Sequence, residues 1–263
     1  MMHGLHFGRR LRNGALGAIP FAVVAVAWLL LPHVVQYPPY MMPSPAQIWL
    51  RMNELLADGT LQHNLLTSML RLLGGFVIGV GLALAAGIPI ALNRNAADTF
   101  KPMLTFLQSI AGIAWVPLAI IWFGIGNGAV VFVIANTIFF SLLNNAVVGI
   151  QQIPNVLHRA VRSHGAIGRD VLFSLILPGA LVQVTLGMRT AMAYGWRALV
   201  AGEMVGGTNG LGYMIIEAVQ FFHTDTIVLG MLIVGILWLL MDRLLFHTLE
   251  TLTVVRWGML KRE

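Results

Sequence analysis

Long apolar runs alternate with short polar, arginine-bearing connectors along the whole of this chain. Residues 15–31 make a first apolar run of about one membrane thickness, preceded by Arg9, Arg10 and Arg12. A Pro-rich stretch at Tyr37–Pro45 (YPPYMMPSP) follows, and Pro45–Ala57 has the spacing of a short amphipathic helix. Leu65–Leu92 predicts a second apolar helix, rich in small residues: Gly75 and Gly79 lie one turn apart and allow a second helix to approach closely. Arg94 and Lys101 mark the turn after it. A third span is expected at Pro102–Phe123, kinked near Pro117, which has no backbone donor. Ala129–Ile150, Ala180–Met204 and Thr226–Phe246 complete a set of six, with an outer turn at Gly206–Tyr213 (GGTNGLGY) after the fifth.

Composition agrees with this pattern. Of 263 residues, 58% are hydrophobic and 10% charged, where soluble domains carry about a quarter charged. The first run is read as a retained span, because no small-x-small cleavage site precedes the Pro-rich stretch. No cysteine is present, which excludes a disulfide framework and a thiolate site. The net charge of +6 does not indicate nucleic acid, since the basic residues are spread over short loops without aromatic interleaving. Twelve of them (Arg9, Arg10, Arg12, Arg94, Lys101, Arg159, Arg162, Arg169, Arg243, Arg256, Lys261 and Arg262) fall on one side of a six-span threading. Arg51 falls on the other side, and Arg71, Arg189 and Arg197 lie in or beside spans. That asymmetry predicts both termini inside. No Gly-x-x-x-x-Gly-Lys-Ser/Thr loop occurs, and Ser, His and Asp are scattered without a nucleophile–base constellation. The chain is therefore expected not to be an enzyme and to hold no cofactor. His223 and Asp225 lack a second histidine at ligand spacing, so no metal site is expected.

One stretch is neither a span nor a mere turn: Asn155–Leu181 (NVLHRAVRSHGAIGRDVLFSLILPGAL). Asn155 after Pro154 is expected to cap a short helix from Val156 to about His164, ended by Gly165 in a left-handed C-cap. Leu157 and Val161 make an apolar stripe beside Arg159 and Arg162. A second amphipathic run carries Val171, Leu172, Leu175 and Ile176, and Pro178 is expected to restart the chain.

Arg159-Ala160-Val161, three residues, Gly165, nine residues, then Leu175-Ile176-Leu177-Pro178 resembles a motif of bacterial ABC importers. It is similar to the cytoplasmic loop of the permease subunits of binding-protein-dependent systems, Glu-Ala-Ala, three residues, Gly, nine residues, Ile-x-Leu-Pro. Ala160, Gly165, Leu177 and Pro178 match, whereas Arg159, Val161 and Leu175 depart. A salt bridge from the motif's glutamate cannot form at Arg159. Pro43-Ser44-Pro45, Ser68-Met69-Leu70-Arg71, Pro117–Gly126 (PLAIIWFGIG) and Gly210-Leu211-Gly212-Tyr213 resemble the nitrate, taurine and alkanesulfonate branch of these permeases.

The resemblance implies an all-α membrane protein with the six-helix type I importer permease fold, multi-pass in the inner membrane. Its organisation would be residues 1–63 as tail, first span and periplasmic amphipathic helix, 64–248 as the core domain with a coupling loop at 151–179, and 249–263 as a basic cytoplasmic tail. It implies as partners a second copy of the chain, a separate dimer of ATPase subunits that binds the ATP, and a periplasmic substrate-binding protein. The coupling residues would be Arg159, Ala160, Val161, Arg162, Gly165, Ala166, Leu177 and Pro178.

The fifth span carries the unusual membrane residue. Arg189 lies about 16 Å beyond Pro178 at about 1.5 Å per residue, and an arginine at that depth should face protein or water. Trp196 and Glu203 follow at seven-residue intervals on roughly the same face, with Met188 and Met192 alongside. In the family this helix lines the translocation path. Arg189 either meets the solute there or pairs with a carbonyl or carboxylate to hold helices together. A cation in the path favours an anion such as a sulfonate, taurine, nitrate or an organic carboxylate. The branch also includes importers of thiamine-precursor-like nitrogen heterocycles, and that substrate class remains open. A stand-alone secondary carrier would need an internal repeat and midplane acidic couplers, neither of which is found.

Overall fold

The computed structural model describes residues 19–20, 23–24, 26–30 and 42–246. The first predicted span is described only in part, at 19–20, 23–24 and 26–30, all helical, and the N- and C-terminal basic clusters lie largely outside the described residues. Among the described residues every regular element is helical. The elements are α1 (Pro45–Ala57), α2 (Thr60–Leu92), α3 (Arg94–Ser109), α4 (Val116–Phe123), α5 (Asn127–Gln151), α6 (Asn155–Ser163), α7 (Leu177–Gly206), α8 (Leu211–Gln220) and α9 (Thr224–Met241).

α5 is the axis of the bundle. It buries residues on all sides, including Ile134, Ile138, Leu142 and Leu143. In lipid, apolar side chains gain little by leaving one apolar solvent for another, so close packing has to supply the cohesion. The small residues serve that purpose. A Cβ on Gly79 of α2 would stand 2.7 Å from the Ala135 carbonyl, and one on Gly195 of α7 would stand 2.7 Å from Ile138. α2 and α7 thus both pack closely on α5, and they share Ile134 and Ile138 as contacts. Leu66, Leu70, Leu73 and Val77 are exposed along the outer stripe of α2, as are Met231, Ile236 and Leu240 on α9. Those are the surfaces that lipid would cover.

Four of the described helical segments are long and apolar enough to cross a membrane: Thr60–Leu92, Asn127–Gln151, Leu172–Gly206 and Thr224–Leu244. The predicted third span is instead a pair, α3 and the Gly112–Phe123 segment, bent by 88°. Its break is at Ile110 and Ala111, whose backbones are extended, and not at Pro117. Pro117 occupies the first turn of α4, where its missing donor is no loss. Two further expectations are corrected. The cap of α6 is Pro154, and Asn155 is the first helical residue, making no side-chain cap bond. Pro178 does not restart the chain: Arg169–Val171 runs through a π-helical turn at Leu172–Ile176 into α7. In that wider turn the Leu177 amide reaches back five residues to the Leu172 carbonyl, which carries the helix past the proline.

Candidate functional site

Three places bring polar residues together. The first is the elbow between α5 and α7. Helix α6 ends in a Schellman motif: Gly165 has φ +86°, its amide donates to the Arg162 carbonyl at 3.0 Å, and the Ala166 amide donates to Val161 at 3.4 Å. Val161 and Ala166 pack against the core beside Ile153, Val171 and Leu175, so the elbow is anchored from beneath. Its other side is open. Arg159, Ala160, Arg162 and Gly165 are exposed, and so are the apolar Val156 (71%), Leu157 and Ile167 (81%). Leu177 is also partly open and Pro178 opens α7 at the base of the elbow. A basic helix presenting bare apolar side chains at a loop is arranged to be covered by something else.

The second place lies where the N-terminal half of α2 meets the C-terminal end of α7. Glu203 is fully buried and Arg71 is 3% exposed. Arg71 Nη1 donates to Glu203 Oε1 at 2.9 Å and to the Asn209 carbonyl at 2.6 Å, while Nε donates to Asn127 Oδ1 at 2.7 Å. Its Nη2 donates to Asn209 Oδ1. The carboxylate also accepts from the Ser68 hydroxyl (2.8 Å) and the Gly212 amide (2.9 Å). Asn64 Oδ1 accepts from the Gly210 amide at 2.7 Å, and Ser68 Oγ accepts from the Leu211 amide at 2.8 Å. Gly210, at φ +108°, has no room for a side chain, since a Cβ would fall 2.2 Å from Glu203 Oε1. The α7–α8 turn is thereby tied to α2 and to the start of α5 by charge-assisted bonds in a dry setting.

The third place is a cavity of about 420 Å³ at the α3–α4 break. Its polar lining is Gln108, Asn136, Thr137, Ser141, Tyr194 and Arg197. A neighbouring cavity, lined by Arg189, Thr190, Tyr194, Arg197, Trp238 and Asp242, continues along the same open side of α7.

The five predicted path residues do not share one open face. Arg189 makes a two-point ion pair with Asp242, Nε to Oδ1 at 2.7 Å and Nη2 to Oδ2 at 2.6 Å. Asp242, near the end of the predicted sixth span, belongs to a π-helical continuation of α9. Met192 and Trp196 are buried, Trp196 tilted against Trp238 at 6.4 Å between centroids. Met188 packs partly against the core, and Glu203 is enclosed in the ionic cluster. The side of α7 left open carries Leu186, Thr190, Tyr194 and Arg197. Sequence reasoning placed Arg71 in or beside a span without giving it a site role, and passed over Asn64, Asn127 and Asn209. An arginine inside an apolar helix was the available signal for Arg71.

Comparison with known proteins gives one family. Residues 75–247 match the model of the binding-protein-dependent transport system inner membrane component. The chain is 29% identical over 236 residues to the taurine transport system permease protein TauC of Escherichia coli, covering 88% of this chain and 86% of that one. It is 32% identical over 224 residues to the aliphatic sulfonates transport permease protein SsuC of the same organism, covering 85% of each. It is 33% identical over 179 residues to the bicarbonate transport system permease protein CmpB of Synechococcus elongatus, covering 68% of this chain and 64% of that one. In fold it resembles a chain of the inward-facing MetNI methionine ABC transporter, with a TM-score of 0.53 and 18% identity, covering 76% of this chain and 96% of that one.

Proposed function

Since the chain belongs to the family of binding-protein-dependent transport system inner membrane components, we propose that two copies form the ATP-driven import path for a small anion. Multi-pass residence in the inner membrane follows from the family and the apolar helices. The solute class is read from relatives named for taurine, aliphatic sulfonates and bicarbonate. In this reading the predicted first span joins the four long helices and the bent pair to make six, with both termini inside. The basic elbow then lies in the cytoplasm, in agreement with the clustering of cations on that side.

The observation that carries the proposal is the elbow. It is bound to the core through Val161 and Ala166 and bare on the side that bears Arg159, Ala160 and Arg162. A separate ATPase subunit gripping α6 moves α7 with it, because the chain between them is helical from Arg169 onward. ATP binding closes the ATPase pair and pulls the two elbows together. The α7 helices part at the outer end, where a loaded binding protein delivers its solute. The work comes from the higher affinity of ATP for the closed state. This chain supplies the path and the handle and hydrolyses nothing itself.

The test is uptake of labelled ethanesulfonate, taurine and bicarbonate into liposomes holding the permease, its ATPase and its binding protein. Uptake of at least one is expected, and only with ATP and binding protein both present. Uptake by the purified permease alone, or an elbow accessible only from the outer side, would overturn the proposal.

A further inference from the structure

The cavity at the α3–α4 break holds the one cation on the open side of α7 that lacks a carboxylate among the described residues. Arg189, two turns earlier, has Asp242, and Arg71 has Glu203. Arg197 has only the ring of Tyr194, 5.6 Å from its guanidinium carbon. It lies nine residues before the end of α7, about 14 Å along the helix axis, and its side chain is exposed on the chain by itself. An arginine at that depth costs about 2.5–3.5 kcal/mol against lipid, so water, solute or protein must meet it. A second feature borders the same space. Ser141 is 3% exposed, lines the cavity, and its buried hydroxyl makes no hydrogen bond among the described residues. A buried polar atom left without a partner is costly unless something fills the role. Gln108 and Asn136 add amide donors to the same lining.

We propose that this cavity is a transient site for the oxyanion head of the passing solute, a sulfonate or carboxylate held on Arg197 with the Ser141 hydroxyl and the amides of Gln108 and Asn136. This rests on the function proposed above and assigns its selectivity to Arg197 instead of Arg189. The planar guanidinium offers two parallel donors to such a head group, which a point charge cannot. The cavity, about 420 Å³, has ample room for a solute of a few heavy atoms with accompanying water.

Because the chain has no cysteine, a single Ala201→Cys, one turn beyond Arg197 in the cavity lining, reports on this space alone when labelling is read on the permease band after the subunits are separated. The permease–ATPase complex carrying it is reacted with anionic sulfonatoethyl and cationic trimethylammonioethyl methanethiosulfonate, each rate divided by that of a free thiol. The anionic reagent is expected to gain about tenfold over the cationic one, a size set by one charge within several ångströms in a wet cavity. Arg197→Gln should abolish that preference, and Arg197→Lys should keep most of it. Ethanesulfonate should slow labelling unless Arg197 is replaced by Gln. Equal rates in the unmodified background would mean that a carboxylate of the second copy neutralises the arginine, and would overturn the proposal. So would protection that follows the anionic lipid content of the nanodisc and not ethanesulfonate. If the Gln variant fails to assemble, the reagent preference and ethanesulfonate protection in Ala201→Cys alone decide the matter. None of these readings needs ATP or a binding protein, so the site can fail while uptake succeeds, and the reverse.

Discussion

Replacing Glu203 with Ala is the sharpest structural test of how the α7–α8 turn is held. The change leaves the Arg71 guanidinium buried with only Asn127 and Asn209 as acceptors, and it strands the Gly212 amide and the Ser68 hydroxyl. Removing one partner of a buried ion pair costs about 3–5 kcal/mol, mostly the penalty of the charge left behind. At about 2–4 °C per kcal/mol for a chain of this size, the melting temperature should fall by roughly 6–20 °C. Seven tryptophans make intrinsic fluorescence in detergent a workable reporter. Arg71→Met removes the other charge, and the double variant should lose clearly less than the sum of the two singles, by more than about 0.5 kcal/mol of coupling. Additive losses, or a Glu203→Ala protein melting within about 2 °C of the parent, would refute the idea that this pair fastens α2 to α7.

Two more perturbations address coupling and helix pairing. Gly165→Pro cannot adopt φ +86° and loses the donor to the Arg162 carbonyl; reconstituted complexes should hydrolyse ATP while solute uptake falls at least about tenfold, as read by paired ATPase and uptake assays, and normal uptake would count against the elbow as a handle. Arg189→Asp and Asp242→Arg should each lower the yield of assembled complex by gel filtration, and the exchanged pair should recover it; no recovery would mean that Arg189 serves something other than Asp242.

The order of helices, the small-residue stripes and the elbow were legible because each is a local signal. Glycines at helical spacing give the clasp of α2 on α5 directly, and Gly165 in an otherwise helical run gives the end of α6. What failed were events decided by distant contacts. Pro117 looked like a kink, but a proline in the first turn of a helix has no bond to break, and only the fold shows that α4 begins just before it. The ionic cluster joins Asn64, Ser68 and Arg71, which share one face of α2 at helical spacing, to Asn127, Glu203 and Asn209 on distant parts of the chain, and that meeting has no local signal. Asp242 follows an apolar run and precedes a basic tail, which is how a span normally ends. Its pairing with Arg189 is visible only in three dimensions.

The two arginines of α7 show why depth alone does not identify a path residue. Arg189 and Arg197 are eight residues apart, about 12 Å along the axis and about 80° around it. Arg189 is turned onto Asp242 in the continuation of α9, while Arg197 lines both the cavity beside that pair and the one at the α3–α4 break. The first meets a carboxylate, and a neutralised pair offers a passing anion little net attraction. The second meets no opposite charge among the described residues, and its only described partner is an aromatic ring, which leaves its donors available. In the proposed reading, two intramembrane cations of one helix thus have opposite uses: one holds helices together, the other remains available to a ligand. A second copy of the chain placed along the open side of α7 would bring two such charges near one path, where an anion's affinity would rise steeply as the gap narrows. The helix that the elbow moves would then also set the strength of the site, so opening and release would be one event.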